Sequence, residues 1–90
     1  MKSYNSVWDA LEDSPEEAQN MKMRSIFMMA IKDYVKQSGS TQTAVAKTLG
    51  ISQPRLNDLL TGKIGKFSLD KLVGLAVKAG MSINLDVKAA

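Results

Sequence analysis

Apolar side chains recur every three to four residues along most of the chain, and this spacing predicts helices. The longest such run predicts a helix from Pro15 to about Ser38. Ser14 can cap its start, Pro15 suits its first position, and Gly39 can end it. Its predicted inner stripe consists of Met23, Ile26, Phe27, Ala30, Ile31, Tyr34 and Val35.

A second, weaker apolar ridge on this helix contains Met21 and Met28. Upstream, Val7, Trp8 and Leu11 are spaced so that they can fold back onto that ridge. Two interpretations of Trp8 stay open. It is either a core contact or an anchor for a protein partner.

Two short helices follow, and the turn between them is tight. Thr41 caps a helix over 42–49, Gly50 can take the positive φ that ends it, and Ser52 caps a third helix that ends at 61–62. The apolar side chains predicted to face inward are Val45, Ala46, Leu49, Ile51, Leu56, Leu59 and Leu60.

Ser68 caps a predicted fourth helix that ends at Gly80, with Phe67 packed on Leu72 as a hydrophobic staple. Its predicted buried face is Leu69, Leu72, Val73 and Ala76. The pattern then changes to strict alternation over 81–88, which predicts a β-strand with one apolar face.

The polar residues of the third helix lie opposite its apolar face. They are Gln53, Arg55, Asn57 and Asp58. A short helix that exposes donors and acceptors, held rigidly by a neighbour, meets the requirements of a helix-turn-helix that enters the DNA major groove. A helical hairpin without a nucleic-acid role would need the same Gly50 and the same core, but it would not need the polar opening "SQPR".

The composition narrows the possible chemistry. Ninety residues predict one domain, 1–90, and the chain contains neither cysteine nor histidine. Disulfides, thiolate nucleophiles, zinc sites and histidine bases are therefore absent. Chemistry by carboxylates alone remains formally possible, but no close carboxylate pair stands out. We expect no enzyme, no cofactor and no metal.

Charge is distributed unevenly. Residues 1–20 hold one lysine and five carboxylates, net −4, whereas residues 21–90 hold eleven basic and four acidic residues, net +7. The basic part, residues 21–90, indicates a polyanionic partner. The acidic N-terminal arm, residues 1–13, indicates a second partner of a different kind. No signal peptide or long apolar run is present, so we expect a cytoplasmic protein with no membrane partner.

The segment "TQTAVAKTLGISQPRLNDLLTGK", residues 41–63, resembles the Cro/CI-type (XRE) helix-turn-helix. The wider frame, "NSVWDALEDSPEEA" through "FSLDKLVGLAVKAGMSINLDV", is similar to HigA-like antitoxins of bacterial type II toxin–antitoxin modules. This resemblance implies a protein associated with the bacterial nucleoid. The expected fold is mainly α: a Cro/CI-like domain of four to five helices, with the helix-turn-helix at 42–62 and a C-terminal strand that pairs across a dimer.

The resemblance also implies roles for individual residues. Base-reading positions are Gln53, Arg55, Asn57 and Asp58, with Arg55 suited to guanine and Gln53 to adenine. Phosphate-contacting positions are Gln42, Ser52, Lys47, Lys63 and Lys66. For Asp58 an alternative stays open, an ion pair with Arg55 three residues earlier.

The lone C-terminal strand has no evident mate within the chain, and unpaired strand edges favour pairing with another chain. We therefore predict that 82–87 pairs antiparallel with its own copy, with its apolar face on the fourth helix. The dimerisation residues are Ile83, Leu85 and Val87, and the resulting homodimer would bind a palindromic double-stranded operator. The alternative is an edge strand that pairs with the N-terminal arm in a monomer.

Three functional hypotheses follow. The first is a DNA-binding antitoxin that neutralises a basic ribonuclease toxin through its acidic arm and represses their shared operon. The second is a stand-alone phage-type or chromosomal repressor without a toxin. The third is a protein-interaction module that binds no DNA, and its binding would be insensitive to salt.

Overall fold

The computed structural model describes residues 14–89, and these are mainly helical. The elements follow in the order α1 (Pro15–Ser38), α2 (Gln42–Leu49), α3 (Gln53–Leu60), a 3-10 helix (Ile64–Lys66) and α4 (Leu69–Lys78). The expected helical architecture is confirmed for this part of the chain. The acidic arm 1–13, with Trp8, lies outside the described residues, so its predicted packing stays a prediction.

Each α-helix begins at a hydroxyl residue that accepts a hydrogen bond from a backbone N–H three positions later. The capping pairs are Ser14 with Glu17 at 3.1 Å, Thr41 with Ala44 at 3.1 Å, Ser52 with Arg55 at 3.2 Å and Ser68 with Lys71 at 3.2 Å. All four caps were predicted and are confirmed. Such a cap depends only on residues adjacent in sequence, so local pattern is enough to find it.

One apolar cluster joins all four α-helices. α1 packs mainly on α4, and α2 packs on α3. The buried members are Met28, Ile31, Val45, Ala46, Leu49, Leu56, Leu59, Phe67, Leu72, Leu75 and Ala76. Phe67 and Leu72, the predicted staple pair, both lie in this cluster.

The predicted inner stripe of α1 was wrong at one position. Met28 is buried, whereas Ile26 is 61% exposed. Ile31 is fully buried, and Met28 lies one turn before it on the same face. Ile26 precedes Met28 by two residues, about 200° around the helix, and so lies on another face.

The predicted burial in α4 also needs correction. Leu75, which was not predicted, is buried, whereas Leu69 and Val73 are only half-buried. Leu72, Leu75 and Ala76 are spaced by three and one, so the buried stripe is rotated around the helix from the predicted one. The helix itself ends at Lys78, two residues before the predicted end.

Residues 81–89 form neither helix nor strand. The predicted strand is thus not present in the single chain, because a strand needs hydrogen bonds to a neighbour, and within the described chain the backbone of 82–89 has none. Met81 and Ile83 pack against the core. This C-terminal tail, 81–89, borders α1 as well as Ala76 of α4, rather than α4 alone.

Candidate nucleic-acid interface

The turn between α2 and α3 is closed by two backbone hydrogen bonds. Gly50 donates to the Lys47 carbonyl at 3.1 Å, and Ile51 donates to the Ala46 carbonyl at 3.0 Å. Gly50 has a φ of 69°, in the left-handed region that glycine adopts without a steric penalty. The predicted role of Gly50 is confirmed.

The inner faces of α2 and α3 are buried in the common core. Val45, Ala46 and Leu49 of α2 and Leu56 and Leu59 of α3 are all at most 3% exposed. Their burial removes the freedom of α3 to rotate or tilt relative to α2. The outer face of α3 is therefore presented in one orientation, as major-groove recognition requires.

A side-chain hydrogen bond joins the first turns of α2 and α3. Gln53 Nε2 donates to Thr43 Oγ1 at 3.0 Å, and both residues are exposed. Gln42 and Ser52 are exposed at the same ends of the two helices. Unpaired N–H groups and the helix dipole make such ends favourable for phosphate. Thr43 was not predicted as part of this site; its position next to Gln42 at the helix start was the available signal.

Arg55 contacts the loop that follows α3. Its Nη2 donates to the Lys66 carbonyl oxygen at 2.7 Å, and its guanidinium carbon lies 4.7 Å from the centroid of the Phe67 ring. Phe67 is itself buried. A guanine contact by Arg55, which remains a prediction, would have to form alongside these contacts or replace them. The Phe67 ring as a platform for Arg55 was not found from sequence, because the two residues are twelve positions apart.

Asp58 also contacts this loop. One carboxylate oxygen lies 3.4 Å from Lys63 Nζ and the other 3.6 Å from Lys66 Nζ. The alternative ion pair with Arg55 is not formed; the carboxylate pairs with the two loop lysines instead. The two ammonium groups offset the negative charge of this carboxylate, so it would repel a bound phosphate less than an unpaired carboxylate would.

The remaining predicted positions, Asn57 and Lys47, are exposed. With Gln53 they supply exposed amide and ammonium groups. The structure thus places amides on α3 and cations at its C-terminal end and on α2. This combination suits base edges flanked by phosphates.

Metal-binding clusters and membrane-spanning helices are both absent from the described residues. Residues 14–89 contain no group of three carboxylate, histidine or cysteine side chains arranged to hold a metal ion. No helix within the same range is long and apolar enough to cross a membrane.

Comparison with protein families matches residues 10–88 to the family described as helix-turn-helix domain. The matched segment includes every described helix and nearly all of the tail. Comparison with curated proteins gives no significant match.

Proposed function

The chain belongs to the helix-turn-helix domain family, and we propose that it is a sequence-specific DNA-binding transcriptional regulator that inserts α3 into the major groove. The observation that carries this proposal is the rigid α2–α3 pair. Its inner face is fully buried, whereas its outer face presents polar groups next to exposed lysines.

Within this proposal, Gln53 and Asn57 read base edges. Both are exposed, and an amide side chain can make a paired donor–acceptor contact with adenine. The bond to Thr43 uses one Gln53 N–H and leaves the amide oxygen and second N–H available. Backbone phosphates are bound by Gln42, Ser52, Lys47, Lys63 and Lys66.

We further propose that two copies assemble through the tail. Leu85 and Val87 are 70% and 90% exposed, and a groove of about 300 Å³ lies between the tail and α1. The groove is lined by Met23, Ile26, Phe27, Ala30, Ala76 and residues 81–85. A second tail paired with 82–87 would satisfy the free backbone groups and cover this apolar surface. The two-fold axis would place the α3 helices about 34 Å apart on a palindromic operator.

The proposed biological role is that of an antitoxin that represses its own operon. The opposite charges of the two parts of the chain support this role. The positive residues 21–90 suit DNA, and the negative residues 1–20 suit a basic protein. A ribonuclease toxin is the proposed partner because an enzyme that binds RNA needs a basic surface. The resemblance to HigA-like antitoxins supports the same role.

Operator binding is tested by fluorescence anisotropy with the DNA upstream of the protein's own gene. We expect Kd to rise by roughly 10³-fold between about 50 mM and about 200 mM salt if the dimer makes six or more phosphate contacts. Asn57→Ala should reduce the preference for the operator over unrelated DNA, whereas Lys88→Ala, in the tail, should not. Equal affinity for all DNA sequences would contradict the proposed regulator.

The toxin partner is tested with the product of the adjacent gene, co-expressed with the full chain. A variant with Asp9→Asn, Glu12→Gln and Asp13→Asn should lose the complex but keep operator binding. The control Asp33→Asn, Asp70→Asn removes negative charge from exposed positions outside both residues 1–20 and the tail, and should keep both activities. Absence of any complex with the unaltered chain would favour the stand-alone repressor.

A further inference from the structure

The loop 63–67, between α3 and α4, is fastened to α3 by side chains of the recognition helix. Arg55 donates to the Lys66 carbonyl at 2.7 Å and stacks on Phe67, which is only 1% exposed. The guanidinium is thus held between the loop backbone and a core aromatic ring. A hydrogen bond and a cation–π contact restrict it together far more than either would alone.

Asp58 supports the same loop from the next turn of α3. Its backbone carbonyl accepts from the Lys63 N–H at 3.0 Å, and its carboxylate lies between the ammonium groups of Lys63 and Lys66. The two lysine side chains remain 52% and 54% exposed. They are therefore oriented by Asp58 and still accessible to a ligand.

The ion pairs of Asp58 contribute little to folding, because both lysine side chains are about half exposed to solvent. Their larger effect concerns binding. A free lysine loses side-chain entropy when a ligand immobilises it. Holding the loop backbone and both ammonium groups before DNA arrives reduces that cost.

We propose that Arg55 is a positioning residue, which fixes loop 63–67 so that Lys63 and Lys66 together bind the DNA backbone at the C-terminal end of α3. This inference rests on the proposed DNA-binding function and deepens it. It changes the role expected of Arg55, because its guanidinium acts through the loop lysines and does not read guanine.

A double-mutant cycle on the full chain tests the proposal. Arg55→Lys keeps the charge but loses the planar fork that reaches Lys66 while stacking on Phe67. In the otherwise unaltered protein we expect it to weaken operator binding roughly tenfold. In a Lys63→Ala, Lys66→Ala background the same change should have almost no effect. In a Lys36→Ala, Lys71→Ala background, which removes the same charge from exposed positions elsewhere, the tenfold loss should persist.

Two further readouts separate positioning from base reading and from a merely structural role. Arg55→Lys should weaken operator and unrelated DNA by the same factor, and it should lower the slope of log Kd against log salt by about 1–2. Loss of discrimination at one base pair, or a tenfold loss that survives in the Lys63→Ala, Lys66→Ala background, would overturn the proposal. If the unaltered protein binds no DNA, the proposed function itself fails, and that result is seen before any variant is made.

Discussion

The carbonyl oxygen of Lys66 accepts a 2.7 Å hydrogen bond from Arg55 Nη2, and this bond joins the first half of α3 to the loop beyond its end. The two bonded residues are eleven positions apart, and the turn at Gly62 lies between them in the sequence. It stabilises one arrangement of α3 relative to the loop, so a change at Arg55 should affect the loop and a change in the loop should affect Arg55.

The Arg55–Phe67 contact should contribute measurably to stability. Phe67→Leu should lower the free energy of unfolding by about 1–1.5 kcal/mol, because it removes buried ring atoms without emptying the site. Part of this loss should depend on Arg55. In a double-mutant cycle with Arg55→Leu, followed by denaturant unfolding, we expect a coupling of about 0.5–1 kcal/mol. Strict additivity would show that the ring and the guanidinium are only neighbours.

Gly50→Ala should lower the free energy of unfolding by about 1–2 kcal/mol, because a Cβ is unfavourable at a φ of 69°. The added carbon would also lie 3.0 Å from Lys78 Nζ, although that flexible side chain can move away. Gly74→Ala is the matched control. Gly74 lies inside α4, and a Cβ there meets nothing within 4 Å, so the change should stabilise the protein by about 0.5–1 kcal/mol. Thermal unfolding that shifts in the same direction for both variants would contradict this reasoning.

Thr43→Val should affect recognition more than folding. The variant keeps the shape of the side chain but removes the oxygen that accepts from Gln53 Nε2. Because the bond is exposed, stability should change by less than about 1 kcal/mol. The Gln53 amide loses the hydrogen bond that orients it. The variant should therefore discriminate less between bases at the operator position that Gln53 reads, as measured with single-base variants of the operator. Unchanged preference would indicate that Gln53 does not read a base from this orientation.

Leu85→Arg should shift the protein from dimer to monomer in sedimentation, because it places a charge in the proposed tail interface. Operator affinity should fall as well, since a monomer contacts only one half-site of the operator. Val77→Arg makes the same chemical change at another exposed apolar position, 60% exposed and outside the lining of the tail groove, and should sediment as the unaltered protein does. If Leu85→Arg also sedimented as the unaltered protein does, the tail would not be part of the dimer interface.

Local pattern was sufficient wherever a feature depends on residues adjacent in the chain. The caps Ser14, Thr41, Ser52 and Ser68 and the glycine turn at Gly50 were predicted correctly, since each is formed within a few residues. The helix-turn-helix core was predicted for the same reason: helical periodicity alone determines which side of a short helix is apolar.

Tertiary structure decided which faces and which side chains meet. The burial of Met28 and the exposure of Ile26 depend on where α1 crosses the other helices, which its own periodicity does not specify. The tail forms no strand in the single chain because strands require a hydrogen-bonded neighbour. Arg55 contacts Lys66 and Phe67, and Asp58 contacts Lys63 and Lys66, because the folded chain brings the loop against α3. The helices and their polar face could be predicted from local periodicity. The partners of the charged side chains on that face could not, because long side chains pair with groups that are close in space but distant in sequence.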